Sequence, residues 1–198
     1  MSSRSMRNTR PRGERPGGGE TVETERLLLR PFLAHDLEAY AAMRAKPEVM
    51  RFLPSGTAPS VAENRRRALA NIQAFQEMWE QAPGYGPWAV VEKESGCVCG
   101  HLGLRLLEEF EDRTELLYML DSAVWGRGYA SEGARAAVAF GFETLKLAEI
   151  IGLVLPENRA SSRVLEKAGM RLQPGLLKIF GLDVALYTLG REDWRHSA

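Results

Sequence analysis

The stretch LLYMLDSAVWGRGYASEGARAAVAF, residues 116–140, decides the fold of this chain. An apolar strand runs into a loop that contains Gly126 and Gly128, and the loop leads directly into a helix that we predict to be capped by Ser131. Glycines let successive backbone N–H groups turn toward one concavity, and a helix N-terminus adds partial positive charge. The pattern favours binding of a phosphate or pyrophosphate, although glycines at such a turn can also serve close packing alone.

On both sides of this stretch, hydrophobic periodicity predicts the element order β α α β β β α β α β β. The predicted strands are Arg26–Phe32, Pro87–Lys93, Cys97–Leu107, Thr114–Asp121, Glu149–Leu155, a segment around Leu176–Phe180, and Asp183–Leu189. The predicted helices are His35–Lys46, Val61–Gln81, Ser131–Leu147 and Asn158–Ala168. Such an order is typical of an α+β domain, in which helices cover a mixed, mostly antiparallel sheet.

Length and charge set the outer limits of the interpretation. The 198 residues fit one domain with an appendage. Residues 1–23 are predicted to be a disordered tail without a signal peptide or membrane span, and residues 24–198 the domain.

The net charge is zero, but the first twenty residues hold five arginines against two glutamates, so 5 − 2 gives +3 there and −3 for the remainder. A mildly acidic body argues against nucleic acid as the main partner and suits a cationic substrate.

The two cysteines, Cys97 and Cys99, are too close in sequence to form a useful disulfide. They indicate reduced thiols in the core of a cytoplasmic protein. No further Cys and no nearby pair of His completes a set of metal ligands, so we expect no metal.

A second motif follows some thirty residues after the glycine loop. With it, the sequence resembles the GNAT superfamily of acetyltransferases, most closely its Rim-type branch of ribosomal-protein N-terminal acetyltransferases. The resemblance covers about Thr24 to Trp194, and the stretch Leu172–Asp183 is shorter than in many members of that branch. It is carried by WGRGYASE (125–132), LPENRASSRVLEKAGM (155–170), ETERLLLRPF (23–32) and DVALYTLGREDW (183–194).

The resemblance implies the GNAT fold and acetyl-coenzyme A (acetyl-CoA) as cosubstrate. In that family pantetheine pairs with the strand before the loop, so the N–H of Met119 or Leu120 would hold the oxyanion. Asn158 would contact pantetheine or phosphate, although it also suits a plain helix N-cap. The implied pyrophosphate-binding residues are Trp125, Gly126, Arg127, Gly128, Tyr129, Ala130 and Ser131.

The resemblance also suggests two catalytic residues. Ser161 would protonate the leaving thiolate, and Glu115 would act as general base or amine anchor. Each residue also has a purely structural interpretation. Ser161 can be an ordinary serine in the first turn of a helix, and Glu115 a half-exposed glutamate on a strand. His101 is a second candidate for the base, although a lone strand histidine is more often structural. Glu132 is expected to complement the helix dipole.

The acceptor is expected to be a protein N-terminal amine or a small-molecule amine. Deprotonating a lysine side chain at pH 7 costs about 4.6 kcal/mol, whereas an N-terminus costs about 1.1 kcal/mol. An N-terminal amine therefore needs little help from a base. Two rival functions stay open, an acetyl-CoA sensor or pseudoenzyme without transferase activity and a nucleotide-binding module. Edge strands of this fold often pair between subunits, which leaves a homodimer open.

Overall fold

A computed structural model describes residues 20–53, 55–107, 110, 113–179 and 181–195. The strands are β1 (Val22–Glu23), β2 (Leu27–Arg30), β3 (Gly86–Glu92), β4 (Val98–Leu107), β5 (Arg113–Leu120), β6 (Glu149–Val154), β7 (Arg171–Leu172), β8 (Leu177–Ile179) and β9 (Leu182–Gly190). The helices are α1 (Leu37–Arg44), α2 (Pro47–Met50), α3 (Val61–Gln81), α4 (Tyr129–Glu143), α5 (Arg159–Lys167) and α6 (Arg191–Arg195).

The strands form a sheet in the order β1-β2-β3-β4-β5-β6-β9-β7, with β8 paired to β9 as well. Among the described strands, β5 and β6 are the parallel pair and every other pair is antiparallel. This arrangement confirms the prediction of an α+β fold with a mixed, mostly antiparallel sheet.

Helices cover both faces of the sheet. Side chains alternate between the faces along each strand, and here both sets include apolar residues that pack against helices. Trp88, Leu102 and Leu116 face one way and join the core cluster that contains α4. Ala89 and Met119 face the other way and pack with side chains of α1 and α3. The sheet is thus the middle of three layers, and each layer boundary is an apolar core.

The helices form where the sequence supplies a buried stripe and a cap. In α3 the buried positions Asn64, Ala68, Ile72, Phe75 and Trp79 recur every three or four residues and so lie on one side of the helix. Ser60 accepts the backbone N–H of Glu63, which satisfies a free donor of the first turn. These two signals explain why the predicted bounds of this helix agree with the structure.

Three predictions about local structure are wrong. The domain begins before Thr24, since Val22 and Glu23 pair with β2 and the indole N–H of Trp88 donates to the carbonyl of Glu20; residues 1–19 of the predicted tail lie outside the described residues. Helix α4 begins at Tyr129, because Gly128 is its N-cap at φ +83° and Ser131 already lies in the first turn. Cys99 is buried as predicted, but Cys97 precedes β4 and is exposed.

No helix in the described part of the chain is both long and apolar enough to cross a membrane.

Candidate functional site

The sheet opens between β5 and β6. Strand β5 is paired along its whole length with β4, and β6 along its whole length with β9. Between them, the described residues form one registered pair, Glu115 with Ile151. The residues of β5 after Leu116 therefore have no registered strand partner on that side, and a gap lies inside the sheet toward the carboxyl end of β5.

The backbone of Tyr118 and Leu120 lines this gap. The N–H of Asp121 donates to the carbonyl of Cys99 in β4 at 2.8 Å. Because backbone directions alternate along a strand, Met119 also turns its N–H and C=O toward β4, while Tyr118 and Leu120 turn theirs toward β6. The Leu120 carbonyl accordingly accepts the indole N–H of Trp125 at 2.9 Å. Of the two predicted oxyanion donors, Leu120 is therefore the candidate, and Met119 is engaged by β4.

The glycine loop presents a row of free N–H groups at this end of the gap. Gly126 and Gly128 have φ values of +77° and +83°, a left-handed conformation that glycine adopts without strain. The first N–H of the α4 ladder is that of Glu132, which donates to the carbonyl of Gly128 at 3.0 Å. The N–H groups from Gly126 to Ser131 donate to no acceptor among the described residues. Unpaired donors at a helix N-terminus form a site for an anion.

Arg26 at the start of β2 fixes the loop in place. Its guanidinium donates to the carbonyl of Arg127 at 2.8 Å and forms an ion pair with Glu132 at 2.6 Å. Glu132 also accepts the backbone N–H of Arg26 and the hydroxyl of Thr24. Its pKa is lowered, since these hydrogen bonds outweigh the effect of burial. Glu132 therefore holds the loop as well as complementing the helix dipole.

Arg127 is engaged by protein groups. Its guanidinium pairs with Glu92 at 2.8 Å and lies 4.8 Å from the centre of the Tyr129 ring. The Tyr129 hydroxyl donates to the same carboxylate at 2.6 Å. The side chain of Arg127 is 44% exposed, so it also remains within reach of a ligand at the loop.

Helix α5 approaches the other side of the gap and carries Ser161. Asn158 caps the helix by accepting the Ser161 N–H at 3.2 Å, which leaves its side-chain amide nitrogen free to donate. The Tyr118 hydroxyl lies 2.8 Å from Ser161 Oγ and donates to the Ser161 carbonyl at 2.9 Å. Burial raises the pKa of Tyr118 despite its bond to Ser161, so its hydroxyl stays protonated. The structure thus places Ser161 directly beside the gap-lining strand.

Glu115 lies at the narrow start of the gap, on the α1 and α3 side of the sheet. The carboxylate is 6% exposed and accepts the Nε–H of Arg105 at 2.6 Å. Burial raises the pKa of Glu115, and the nearby charge of Arg105 opposes that rise. A carboxylate with a raised pKa suits an acid–base role, but Glu115 and Ser161 do not contact each other.

His101 is part of the core. Its Nδ1 lies 2.9 Å from the Tyr40 hydroxyl, and burial, reinforced by the charges of Arg44 and Arg105, lowers its pKa to about 3. Such an imidazole is neutral throughout the physiological range and is held by a structural hydrogen bond. The geometry favours the structural interpretation of His101.

Lys46, between α1 and α2, and Glu48, in α2, hold these helices against the residues just after β5. Lys46 Nζ donates to Asp121 at 2.5 Å, and the Ser122 hydroxyl donates to Glu48 at 2.8 Å. Burial would raise the pKa of Asp121, but its hydrogen bonds from Lys46 and the Ala123 N–H lower it. These contacts close the α1 side of the gap's wide end.

Sequence reasoning missed the groups that hold the site together, namely Arg26, Lys46, Glu92, Tyr118 as partner of Ser161, and Asp121. Their partners lie between 35 and 106 positions away along the chain, from Arg127–Glu92 to Arg26–Glu132, and no local pattern reveals such pairs. Among the described residues, no group of three His, Cys, Asp or Glu side chains is placed to hold a metal ion.

Both the sequence and the fold of this chain are similar to those of known proteins. Residues 26–171 match the family model of the acetyltransferase (GNAT) domain. The chain is 30% identical over 157 residues to the uncharacterized N-acetyltransferase YoaA of Bacillus subtilis, covering 79% of this chain and 85% of that protein. The crystal structure of a GNAT-family acetyltransferase from Bacillus anthracis superposes with a TM-score of 0.73 at 28% identity, over 87% of this chain and 99% of that chain.

A Rim-type enzyme shares the fold. RimL, a ribosomal L7/L12 α-N-protein acetyltransferase solved in complex with coenzyme A, matches with a TM-score of 0.67 at 20% identity, over 86% of this chain and 98% of that chain. The family match spans most of the sequence, including the glycine loop and the helix that carries Ser161. The chain is an enzyme of the GNAT family of acetyltransferases.

Proposed function

We propose that the protein transfers an acetyl group from acetyl-CoA to a primary amine by direct attack within a ternary complex. The observation that carries the proposal is the row of unpaired N–H groups from Gly126 to Ser131, at the end of an unpaired strand edge. A pyrophosphate satisfies the loop, and an extended pantetheine arm pairs with the backbone of Tyr118 and Leu120 as an added strand would.

The reacting atoms then lie near Leu120 and Ser161. The amine nitrogen attacks the thioester carbon, and the Leu120 N–H stabilises the oxyanion that forms. When the C–S bond breaks, its electron pair goes to sulfur, and the Ser161 hydroxyl supplies a proton to the thiolate. A solvent proton restores the Ser161 hydroxyl, while Tyr118, which stays protonated, donates to the Ser161 carbonyl and holds the serine in position.

Glu115 is the proposed acceptor of the proton that the amine loses. It lies on the face opposite Tyr118 and Ser161, the face that α1 and α3 cover. Acid and base are thus separated by the strand itself, and an amine approaches from the Glu115 side. Burial raises the pKa of Cys99 to about 12, which keeps that thiol protonated and agrees with direct attack rather than a cysteine-bound intermediate.

The acceptor is a protein N-terminal amine or a small-molecule amine. We expect the acceptor to contact α1, α3 and the β8–β9 hairpin. Three exposed leucines, Leu172, Leu176 and Leu182, lie in or beside the last strands, and they offer apolar contacts to an acceptor. RimL acts on a ribosomal protein, as its name states, which supports a protein acceptor by fold alone.

Binding of acetyl-CoA, measured by calorimetry, tests the donor half of the proposal. We compare the wild-type protein with Gly126→Asp and with Gly181→Asp as matched control. Both glycines have φ +77°, and a Cβ added at either position would meet no other atom within 4 Å, so the two substitutions impose the same backbone strain. Gly126→Asp adds a negative charge to the loop and is expected to abolish binding, while Gly181→Asp retains it.

Release of free coenzyme A thiol in the presence of an amine panel tests the transfer step. Tight binding of acetyl-CoA without turnover of any amine would favour a sensor or pseudoenzyme. Failure of acetyl-CoA to bind, or equal binding by both aspartate variants, would contradict the proposed donor site.

A further inference from the structure

Arg44, the last residue of α1, is a buried cation without an acidic partner. The residue is 5% exposed, and its Nε atom is buried with no hydrogen-bond partner. Within the described residues, no Asp or Glu forms an ion pair with it. Three other cations on this side of the sheet do have a carboxylate, in the pairs Arg30–Asp36 at 2.6 Å, Lys46–Asp121 at 2.5 Å and Arg105–Glu115 at 2.6 Å.

The groups around Arg44 are neutral. The guanidinium lies 5.9 Å from the centre of the Tyr40 ring. In the amide orientation that satisfies both ends of Asn71, its oxygen accepts from Arg44 NH1 at 3.0 Å. His101, which binds the Tyr40 hydroxyl, is neutral because its pKa is lowered to about 3, first by burial and then by Arg44. The cluster therefore carries one uncompensated positive charge.

The cluster borders the proposed reaction site. His101 pairs in register with Met119, and Met119 packs in the same core cluster as Tyr40 and Met43. Two residues after Arg44, Lys46 reaches Asp121 just beyond the end of β5. A buried charge without a partner lowers the stability of the folded state, so an anion from outside the chain would complete this site.

We propose that Arg44 binds the carboxylate of the acceptor, so that the enzyme selects small amines that carry a carboxylate, as free amino acids do. This inference rests on the proposed function and narrows its acceptor. One guanidinium balances one carboxylate in charge, and its planar fork matches the two carboxylate oxygens. A phosphate would bring more negative charge than this cluster compensates.

Acceptor pairs that differ only in the anion test the proposal. Each amino acid in a panel is compared with its own amide, and kcat/KM is measured at saturating acetyl-CoA. We expect the acids to exceed the amides by roughly 10- to 100-fold, the range of a charge-assisted hydrogen bond. Arg44→Met is expected to bring that ratio close to one without changing acetyl-CoA affinity. Arg65→Met, at an exposed ion pair with Glu38, is the control and keeps the wild-type ratio.

Two readouts do not depend on turnover. Thermal unfolding of the unliganded protein is expected to show Arg44→Met at least as stable as wild type, because an apolar side chain replaces an unpaired buried charge. N-acetylated amino acids, the products, are expected to stabilise the wild type more than their amides do, and Arg44→Met to lose that difference. Arg44→Lys, which keeps the charge, is expected to retain part of it.

Several results would overturn the proposal. A wild-type enzyme that acetylates amides as well as acids would refute it and leave the acetyltransferase function standing. A marked loss of stability in both Arg44→Met and Arg44→Lys, with the acid-to-amide difference unchanged in product binding, would show that Arg44 is structural. Absence of acetyl-CoA binding would instead refute the proposed function, while product binding would still decide the role of Arg44.

Discussion

Glu115 combines near-complete burial with one cationic neighbour, and the balance between them governs its protonation. If Glu115 accepts the amine proton, Glu115→Gln is expected to lower kcat/KM by roughly 10²- to 10⁴-fold. The wild-type rate should rise with pH through the raised pKa of Glu115, since only the carboxylate accepts a proton. The measurement is the pH profile of kcat/KM.

Glu143→Gln, at the exposed end of α4, is the control for that experiment. An unchanged acid limb of the profile in Glu115→Gln would show that another group, or the amine itself, sets the pH dependence.

His101 makes the fold sensitive to acid. In the unfolded chain its pKa is near 6.5, and in the folded protein it is lowered to about 3. Below pH 6.5 the unfolded state therefore binds a proton at His101 that the folded state does not bind. The contribution of neutral His101 to the unfolding free energy is complete above pH 6.5 and is lost as pH falls toward 3. Between pH 7 and 4.5 the loss is on the order of 3 kcal/mol.

Urea unfolding at both pH values checks this prediction. His101→Gln should show a smaller decrease in unfolding free energy between pH 7 and 4.5 than wild type, whereas His35→Gln, at an exposed position, should match wild type. An identical decrease in the His101 variant would mean that other groups cause the acid sensitivity.

At this scale the sequence predicted residues whose role is local. Asn158 was identifiable as a cap because it directly precedes a helical pattern. Gly128 was identifiable as part of a glycine loop before a helix, but the cap itself was assigned to Ser131. Ion pairs differ in how far apart their partners lie in the sequence. Arg30 and Asp36 are six positions apart, whereas Arg26 and Glu132 are 106 positions apart. Partner choice over that distance is set by tertiary packing, and Arg44 was not distinguishable from any other helical arginine.

Among the elements, β5 and α5 are joined by the hydrogen bonds between Tyr118 and Ser161. If the two hydroxyls act together on the leaving thiolate, Ser161→Ala should lower kcat by roughly 10²-fold, and Tyr118→Phe should lower it less. The double variant should be no slower than Ser161→Ala alone, because effects of contacting residues are not additive. Steady-state kinetics of the four proteins form the cycle.

Ser162→Ala is the matched control, one residue along the same helix. Among the described residues its hydroxyl bonds only the carbonyl of Asn158, at 3.5 Å, so wild-type kcat is expected. Strictly additive losses in the double variant would separate Tyr118 from the role of Ser161.

The predicted elements match the structure where hydrophobic periodicity and the signals for the start and end of a helix agree. Helix α3 has a buried stripe, the Ser60 cap and Pro83-Gly84 after it, and its bounds are those predicted. The two-residue strands β1 and β7 were missed, since alternation cannot show in two residues. The start of α4 was misplaced because a left-handed glycine served as its cap. The parallel pairing of β5 with β6 depends on chain topology that no segment carries alone.

For the whole molecule, donor binding should stabilise the fold. Acetyl-CoA at a hundred times its dissociation constant adds about 2.7 kcal/mol to the unfolding free energy, which corresponds to a rise in Tm of about 5–10 °C for a chain of this length. Thermal unfolding with and without acetyl-CoA measures the rise. Gly126→Asp should show none, and a rise of equal size in that variant would place the ligand elsewhere.

The opening between β5 and β6 has one more consequence. An unpaired strand edge is a template on which other chains can add a strand, and here that edge lies within the sheet, where the N–H groups of Tyr118 and Leu120 have no strand partner among the described residues while no donor is bound. The free protein should therefore be more prone to self-association on storage than the donor-bound one, as light scattering over time would show. The backbone groups proposed to bind the cosubstrate would therefore lower the solubility of the protein when the cosubstrate is absent.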